Sequence, residues 1–283
     1  MKLALGTVQF GLNYGIANQT GQVPPQEVAS IIELAREAGI GMLDTAIAYG
    51  ESEARLGACG VNDFRVVSKL PSSVGVPDIA GMVELSLERL GVTSLYGILL
   101  HRSEDLAGPD GARIYAGLCD LKLRGLANKI GVSIYDPQEL DLLADRFKFD
   151  IVQAPYNIVD RRLETSGWLS RLKGDDIEVH TRSAFLQGLL LMKPGQRPER
   201  FSRWTALWSG WDSWLSETQT SALQGALGFV LGNGAVDQVV VGVDSKVQLV
   251  DILGAAGTSV DPAPAWLANG DPDLINPSRW NSL

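Results

Sequence analysis

The chain has 283 residues, of which 45% are hydrophobic and 20% charged, so it can bury a sizeable core and lacks the composition of a disordered chain or a membrane span. Its 33 acidic and 24 basic residues give a net charge of -9, which disfavours nucleic-acid partners because they require a basic surface. The apolar start of MKLALGTVQFG is too short for a signal peptide, so we expect a cytoplasmic protein without membrane partners.

Short apolar runs alternate with amphipathic stretches along the whole chain, as expected when crossover helices connect a buried parallel sheet. The apolar runs predict eight strands, at Lys2–Thr7, Gly41–Asp44, Phe64–Lys69, Leu95–His101, Asn128–Val132, Ile151–Gln153, Ile177–Thr181 and Gln238–Val241. The amphipathic stretches predict helices at Pro25–Ala38, Ile79–Leu90, Gly111–Leu123, Pro137–Ala144 and Glu217–Gly232. This order favours an α/β fold, a (β/α)8 TIM barrel forming a single domain over residues 1–283. An open doubly wound sheet would also need a G-x-G-x-x-G turn after the first strand, and the sequence has none.

Two further features of the sequence are predicted to be structural. Four tryptophans between Met192 and Leu215 are spaced near one helical face, at positions Trp204, Trp208, Trp211 and Trp214. We expect them to pack against the barrel, with an aromatic lid over the substrate mouth as the alternative. Cys59 and Cys119 are far apart and lack partners at metal-ligand spacing, so we expect buried free thiols rather than a zinc site or a disulfide.

Polar side chains stand at the ends of three successive predicted strands. Asp44 closes the second strand and Tyr49 follows it, Lys69 closes the third, and His101 closes the fourth. Taken singly, each has an ordinary structural explanation: a helix cap for the aspartate, a solvated charge for the lysine, a packed histidine. The carboxyl ends of barrel strands converge on one opening, however, so together they predict an active site.

These four residue types suit the reduction of a carbonyl by hydride transfer. Such a reaction builds negative charge on the carbonyl oxygen, which needs a proton donor and a fixed charge nearby. Tyr49 can donate the proton, and we expect the Lys69 ammonium to lower its pKa while Asp44 keeps the lysine charged. A neutral His101 can donate a hydrogen bond to the carbonyl oxygen and orient it.

The sequence resembles the aldo-keto reductase family over essentially its whole length. The segments that carry the resemblance arrive in the family's order and read LGTVQFGLNYG, AGIGMLDTAIAYGESEARLG, VVSKL, YGILLHR, RGLANKIGVSIY, DIVQAPYNIVDR, SAFLQGLLL and VVVGVDSKVQLVDIL. The resemblance implies a reductase without a metal, dependent on NADP(H), that acts on a small aldehyde, ketone or sugar. It also implies that Asp44, Tyr49, Lys69 and His101 are the catalytic residues.

The resemblance further implies how a nicotinamide nucleotide would bind. Ser133 and Gln153 would contact the carboxamide, with Thr7 and Asp44 against the nicotinamide region. The pyrophosphate would lie along the seventh strand's loop, formed by Ser183, Phe185, Gln187 and Gly188. The adenosine end would contact the eighth strand's loop, formed by Gly242, Ser245, Lys246 and Gln248. Backbone amides and small residues suit a diphosphate, and Lys246 offers a cation for a 2′-phosphate.

Three positions depart from the family's pattern. Ile134 stands where the family often has an asparagine, which removes one contact to the carboxamide. Arg182 stands where an aromatic residue often stacks on the nicotinamide, and a guanidinium plane can stack there as well. Asp244 stands where a basic residue is common. Its carboxylate would repel a 2′-phosphate and could accept from a 2′-hydroxyl, so NAD(H) is the alternative cofactor to NADP(H).

Two other functions are compatible with such a barrel. The first is a catalytically slow sensor or partner subunit that binds the nucleotide, which loss of Tyr49 or Lys69 would favour, and neither residue is lost. The second is an aldolase in which Lys69 forms a Schiff base. Asp44 beside Lys69 would hold the lysine charged, which argues against that chemistry.

Overall fold

The computed structural model describes residues 1–72, 78–258 and 260–282, and its eight strands close into a single barrel. Every strand is parallel to its two neighbours, and the first strand pairs with the eighth to complete the ring. The strands are β1 Leu3–Gly6, β2 Met42–Asp44, β3 Arg65–Leu70, β4 Leu95–Leu100, β5 Ala127–Ser133, β6 Ile151–Pro155, β7 Glu178–Arg182 and β8 Gln238–Gly242. The predicted (β/α)8 TIM barrel is confirmed, and the predicted strand ends differ only slightly from those observed.

Helices and short helical turns connect the strands around the outside of the barrel. They are α1 Val8–Gly11, α2 Pro25–Glu37, α3 Ser52–Ala58, α4 Ile79–Leu90, α5 Glu104–Ala107, α6 Gly111–Leu123, α7 Gln138–Leu143, α8 Arg162–Thr165, α9 Trp168–Gly174, α10 Thr205–Glu217, α11 Ala222–Gly232, α12 Lys246–Ala256 and α13 Pro272–Ile275. Four 3-10 segments lie at Leu186–Leu191, Glu199–Trp204, Ala265–Leu267 and Pro277–Ser282. The helices predicted near residues 25, 79, 111 and 137 are confirmed.

The predicted helix Glu217–Gly232 is wrong at its start. Glu217 is the last residue of α10, and Gln219 then takes a left-handed backbone conformation, with φ 51°. Helix α11 then begins after its cap residue, Ser221. The Ser221 side chain accepts from the Gln224 backbone N–H, and the Gln224 side chain accepts from the Ser221 N–H. This reciprocal cap satisfies the unpaired donors at the start of α11, so it separates the two helices.

Hydrophobic side chains fill the interior of the barrel below its carboxyl end. A compact cluster inside the ring comes from five strands and consists of Ala4, Met42, Val67, Leu99 and Ile151. The ring of helices packs on the outer faces of the strands through a much larger apolar cluster. This apolar cluster fills the barrel on the amino-terminal side of the strand ends. The polar side chains at the carboxyl ends of the strands therefore face a single opening.

The tryptophan-rich segment forms a second hydrophobic core. Trp208, Trp211 and Trp214 are buried on one face of α10, and Trp204 precedes that helix in a 3-10 segment. The indole nitrogens of Trp208 and Trp211 donate to the Phe201 and Leu190 carbonyl oxygens at 2.9 and 3.1 Å. The expected packing role is therefore confirmed.

Two sequence expectations about the whole chain can be compared with the structure. Cys59 and Cys119 are free thiols, and both are half-buried rather than fully buried as expected. In the described residues, no helix combines the length and apolar character needed to span a membrane.

Candidate active site

A buried ion pair lies at the carboxyl end of β2 and β3. Lys69 Nζ donates to Asp44 Oδ1 at 2.6 Å and to the Thr45 carbonyl oxygen at 2.9 Å. The two residues are only 1% and 5% exposed. The other carboxylate oxygen of Asp44 accepts from Gln153 Nε2 at 2.7 Å, so both oxygens are occupied. Hydrogen bonds on every side fix this pair, which is the condition under which a buried ion pair is tolerated.

Backbone pairing beyond the end of β2 sets the position of Tyr49. Thr45 N and Ile47 N donate to the Val67 and Lys69 carbonyl oxygens, which continues the β2–β3 ladder as far as Ile47. Tyr49 then sits with its ring 5.3 Å from Lys69 Nζ and edge-to-face with His101, with 5.7 Å between the two ring centres. The sequence-predicted residues Asp44, Tyr49, Lys69 and His101 are thus brought together.

The close approach of Gly11 holds the Tyr49 segment against the first loop. A Cβ atom on Gly11 would lie 1.6 Å from the Tyr49 carbonyl oxygen, a distance that no side chain could adopt without moving the backbone. Gly50 follows with φ +55°, and a Cβ there would lie 2.6 Å from the Gly11 carbonyl oxygen. Both positions therefore require glycine, which explains the glycines of FGLNYG and AYGES.

Burial is the largest cause of the pKa shifts of Tyr49, Lys69 and His101. Burial and the negative charge of Asp44 raise the pKa of Tyr49, so the expected lowering by Lys69 is wrong. The physical reason is that Lys69 Nζ directs its hydrogen bonds to Asp44 and Thr45, while the phenol is desolvated. Burial also lowers the pKa of Lys69, with the Asp44 carboxylate opposing this. Burial and the nearby Lys69 charge lower the pKa of His101 to about 4, so its imidazole is neutral at pH 7.

A cavity of about 410 Å³ opens beside this cluster. The predicted site residues in its wall are Thr7, Asp44, Tyr49, Gln153, Arg182, Ser183, Phe185, Gln187, Gly188, Gly242 and Gln248. Lys69 and His101 are absent from the wall but contact Asp44 and Tyr49, which are part of it. The remaining predicted residues, Ser133, Ser245 and Lys246, also lie outside the wall. The Ser245 side chain instead caps α12 by accepting from the Gln248 N–H, and the Lys246 N–H donates to Glu27 Oε1.

The far end of the cavity is acidic. Asp244 and Asp251 both belong to its wall, and Arg182 is the only lysine or arginine among the described residues that line it. Asp244 Oδ1 accepts from Asn18 Nδ2 at 3.1 Å, and the Asp244 N–H donates to Gln248 Oε1 at 2.8 Å. Burial raises the pKa of Asp244. The chain thus presents acceptors, and not cations, at this end.

The loop between β1 and α2 covers one side of the cavity, which sequence reasoning missed. Gln187 Nε2 donates to the Tyr14 hydroxyl at 3.1 Å, and Asn18 bridges to Asp244 as described. Ala17 lies so close to Gly188 that a Cβ on the glycine would approach the Ala17 Cβ to 2.4 Å. The sequence signals were the polar run NYGIANQTG and the glycines within it, which mark an ordered turn rather than a disordered loop.

Arg182, one of the three departures from the family pattern, lies in the same cavity wall as Asp44 and Tyr49. Its guanidinium lies 4.3 Å from the centre of the Tyr135 ring, and Nη2 donates to the Ile134 carbonyl oxygen at 3.1 Å. Ile134 itself is fully buried. The guanidinium therefore stacks on a ring of the protein, and the neighbouring β5 loop sets its plane.

The fold and this cavity together define a class: a parallel (β/α)8 barrel with a ligand-sized cavity at the carboxyl ends of its strands. Comparison with known proteins makes the assignment more specific. The family model for the aldo/keto reductase family matches residues 2–263. The chain therefore belongs to the aldo/keto reductase family, as the sequence motifs predicted.

Individual relatives agree with this assignment. An aldo-keto reductase from Mycolicibacterium vanbaalenii is 35% identical over 130 residues, a match that spans 43% of this chain and 45% of the relative. A solved aldo-keto reductase from Bacillus halodurans, in its holo form, superposes with a TM-score of 0.75 at 20% identity, covering 93% of this chain and 88% of the other. The glycerol dehydrogenase of Gluconobacter oxydans gives a TM-score of 0.71 at 23% identity, covering 92% and 88%. Likenesses at this level of identity concern the fold.

Proposed function

We propose that this protein is a nicotinamide-dependent oxidoreductase that interconverts small carbonyl compounds and their alcohols. The observation that carries the proposal is the buried Asp44–Lys69 pair with the Tyr49 and His101 rings beside it, at the mouth of a cavity large enough for a ligand. Membership of the aldo/keto reductase family supports the same reaction class.

The residues that line the cavity fit a nicotinamide dinucleotide. Gly242, at the end of β8, lets the Gln9 side chain pack against the strand within the cavity wall, because a Cβ there would lie 2.5 Å from Gln9 Nε2. Gln9 Oε1 is buried beside this position without a hydrogen-bond partner among the described residues, so a ligand donor could satisfy it. The acidic end, with Asp244 and Asp251, offers acceptors to ribose hydroxyls.

A nicotinamide nucleotide held by the cavity wall would supply, when bound, the hydride that reduces the carbonyl carbon. The raised pKa keeps Tyr49 protonated, and its hydroxyl donates a proton to the carbonyl oxygen as negative charge develops there. The Lys69 ammonium, held by Asp44 Oδ1, stabilises that charge. Neutral His101 donates a hydrogen bond from its ring N–H and orients the carbonyl. In the direction of alcohol oxidation, Tyr49 would have to act from its phenolate form, which accepts the proton of the alcohol and returns to the neutral phenol.

The choice between NADP(H) and NAD(H) depends on the group that faces the 2′ position of the adenosine ribose. The resemblance to the family favours NADP(H). The acidic end of the cavity favours NAD(H), because the Asp244 carboxylate would repel a 2′-phosphate and Lys246 lies outside the wall. We propose NAD(H) as the preferred nucleotide, with NADP(H) as the alternative that the titration below distinguishes.

The proposal is tested by titrating the purified protein with NADH and with NADPH, using the quenching of tryptophan fluorescence as the readout. We expect binding of at least one nucleotide in the micromolar range, followed by turnover of small aldehydes or ketones in the presence of that nucleotide. A protein that binds neither nucleotide would not be an oxidoreductase of this kind. A protein that binds a nucleotide but reduces no carbonyl compound would instead be the slow nucleotide-binding sensor.

A further inference from the structure

Arg182 carries a positive charge that the structure does not neutralise. Among the residues that the structure describes, its hydrogen-bond partners are the Ile134 carbonyl oxygen and Ser183 Oγ, the latter at 3.4 Å from Nη1. It forms no ion pair with any aspartate or glutamate that the structure describes. A guanidinium has five N–H donors, so most of them remain available to a ligand.

The acidic residues of the neighbouring loop are already occupied. Arg162 pairs with Asp160 at 2.8 Å and with Asp136 at 2.5 Å. Glu139 accepts from the Tyr135 and Asp136 N–H groups at 2.9 and 2.7 Å, and from the Ser103 hydroxyl. The comparison between the two arginines is informative, because Arg162 is fixed by two carboxylates whereas Arg182 stacks on Tyr135 and keeps its charge free.

The free charge lies in the part of the cavity wall that contains Asp44, Tyr49 and Gln153, which we call the reacting end. Arg182 lines the same wall as Asp44, Tyr49 and Gln153. It lies close enough to Tyr49, Lys69 and His101 for its charge to affect the pKa of each. Asp44 and Lys69 neutralise each other, and Tyr49 and His101 are neutral at pH 7. This end of the cavity is therefore left with one unbalanced positive charge.

We propose that Arg182 binds an anionic group of the carbonyl substrate, so that the preferred substrates are small oxo acids or phosphorylated aldehydes. The planar guanidinium matches the oxygens of a carboxylate or phosphate, and a partly buried site strengthens the charged hydrogen bonds. The stacking on Tyr135 pre-orders the guanidinium, which reduces the entropy lost on binding. This inference rests on the proposed function for the reaction itself and adds the substrate class.

The test compares pairs of related carbonyl substrates, in which one member carries an anionic group and the other is neutral. The pairs are 4-oxobutanoate with its methyl ester, and glyceraldehyde 3-phosphate with glyceraldehyde. For each pair, the ratio of kcat/KM for the charged member to kcat/KM for the neutral member is measured in wild-type protein and in Arg182→Gln, Arg182→Lys and Arg102→Gln. The ratio cancels any effect that a substitution has on nucleotide binding. Arg102 is a matched control because it is an exposed arginine next to His101.

We expect a wild-type ratio of roughly ten or more for at least one pair, in line with the usual strength of charge-assisted hydrogen bonds. Arg182→Gln should bring that ratio close to one, Arg182→Lys should restore part of it, and Arg102→Gln should change it by less than about twofold. A wild-type protein without preference for the charged member would overturn the inference. The inference would also be overturned if Arg182→Gln left the ratio unchanged and raised the nucleotide Kd. Arg182 would then bind the pyrophosphate of the nucleotide and not the substrate.

Calorimetric binding of 4-oxobutanoate and its methyl ester, measured without a nucleotide, separates this inference from the proposed function. Tighter binding of the acid, lost in Arg182→Gln, supports the anion site even in a protein that shows no turnover. Equal binding of the acid and the ester, in a protein that does reduce carbonyl compounds, contradicts the anion site while leaving the proposed reaction intact.

Discussion

The two ends of the cavity are built in different ways. At the reacting end, strand residues from the barrel wall place Asp44 and Lys69 in a buried, fully hydrogen-bonded pair. At the acidic end, loop side chains such as Asn18 and Asp244 meet in a partly buried contact. A strand end is fixed by the hydrogen bonds of the sheet, whereas a loop contact depends on two flexible segments. We propose that the strand ends supply the residues that carry the reaction, while the loops supply those that select the nucleotide.

The largest effect is expected at the reacting end. Tyr49→Phe keeps the ring that packs beside Lys69 and His101 but removes the hydroxyl that donates the proton. We expect kcat to fall by at least about a hundredfold, the usual contribution of a general acid, while the nucleotide Kd changes little. Steady-state kinetics and the fluorescence titration measure the two quantities.

Tyr14→Phe is the matched control for that substitution. Tyr14, in the covering loop between β1 and α2, lines the same cavity, and its hydroxyl accepts from Gln187 Nε2 in the loop after β7. Its loss should lower kcat by less than about tenfold, because one partly exposed hydrogen bond is removed. If the two variants had similar kcat values, Tyr49 would have no special role and the contrast between the two ends would fail.

A smaller effect is expected at the acidic end. Asp244→Arg replaces the carboxylate with a cation, so the ratio of kcat/KM with NADPH to kcat/KM with NADH should rise by about tenfold or more. Asp244→Asn retains a hydrogen-bond acceptor for Asn18 and removes only the charge, so it should move the ratio less far in the same direction. A ratio that stays constant in both variants would place Asp244 away from the 2′ position.

The smallest expected effect concerns the pH dependence of stability. Burial lowers the pKa of His101 from its usual 6.5 to about 4, so between these pH values the unfolded chain binds more protons at this residue than the folded protein. The stability contributed by the neutral ring is therefore complete above pH 6.5 and is lost as the pH falls towards 4.

Urea unfolding at pH 7 and at pH 4.5 measures this contribution. Wild-type protein should lose about 1 kcal/mol more of its free energy of unfolding over this range than His101→Asn, after allowance for solvent screening of the partly exposed ring. Equal losses in the two proteins would show that His101 titrates in the folded state as it does in the unfolded chain.

The reacting end could be predicted from the sequence for a physical reason. Each of Asp44, Lys69 and His101 follows an apolar run that forms a strand, and parallel strands bring their carboxyl ends together without further information. The direction of the Tyr49 pKa shift could not be predicted from the sequence, because it depends on the burial of the phenol and on the groups to which Lys69 donates its hydrogen bonds.

The acidic end was only partly predictable. Asp244 was recognised as unusual, but its contact with Asn18 joins residues that are 226 positions apart in two irregular loops, and no periodicity marks such a pair. Lys246 was predicted at the adenosine end of the nucleotide. It is instead the first residue of α12, where its backbone N–H donates to Glu27 Oε1 of α2, and it is absent from the cavity wall. The predicted residues that the structure does not bring into the cavity wall lie mainly in loops, whose conformation local sequence patterns specify poorly.

The function proposed for this cavity is hydride transfer between a nicotinamide and a carbonyl carbon, with Tyr49 supplying the proton. It is tested most directly by single-turnover reactions with NADH or NADPH in which both hydrogens at C4 are replaced by deuterium, in wild-type protein and in Tyr49→Phe. We predict that wild-type protein delivers deuterium to the carbon of the alcohol product, and that Tyr49→Phe does so at least about a hundredfold more slowly at saturating nucleotide. An alcohol product without deuterium, or equal rates in the two proteins, would contradict the account.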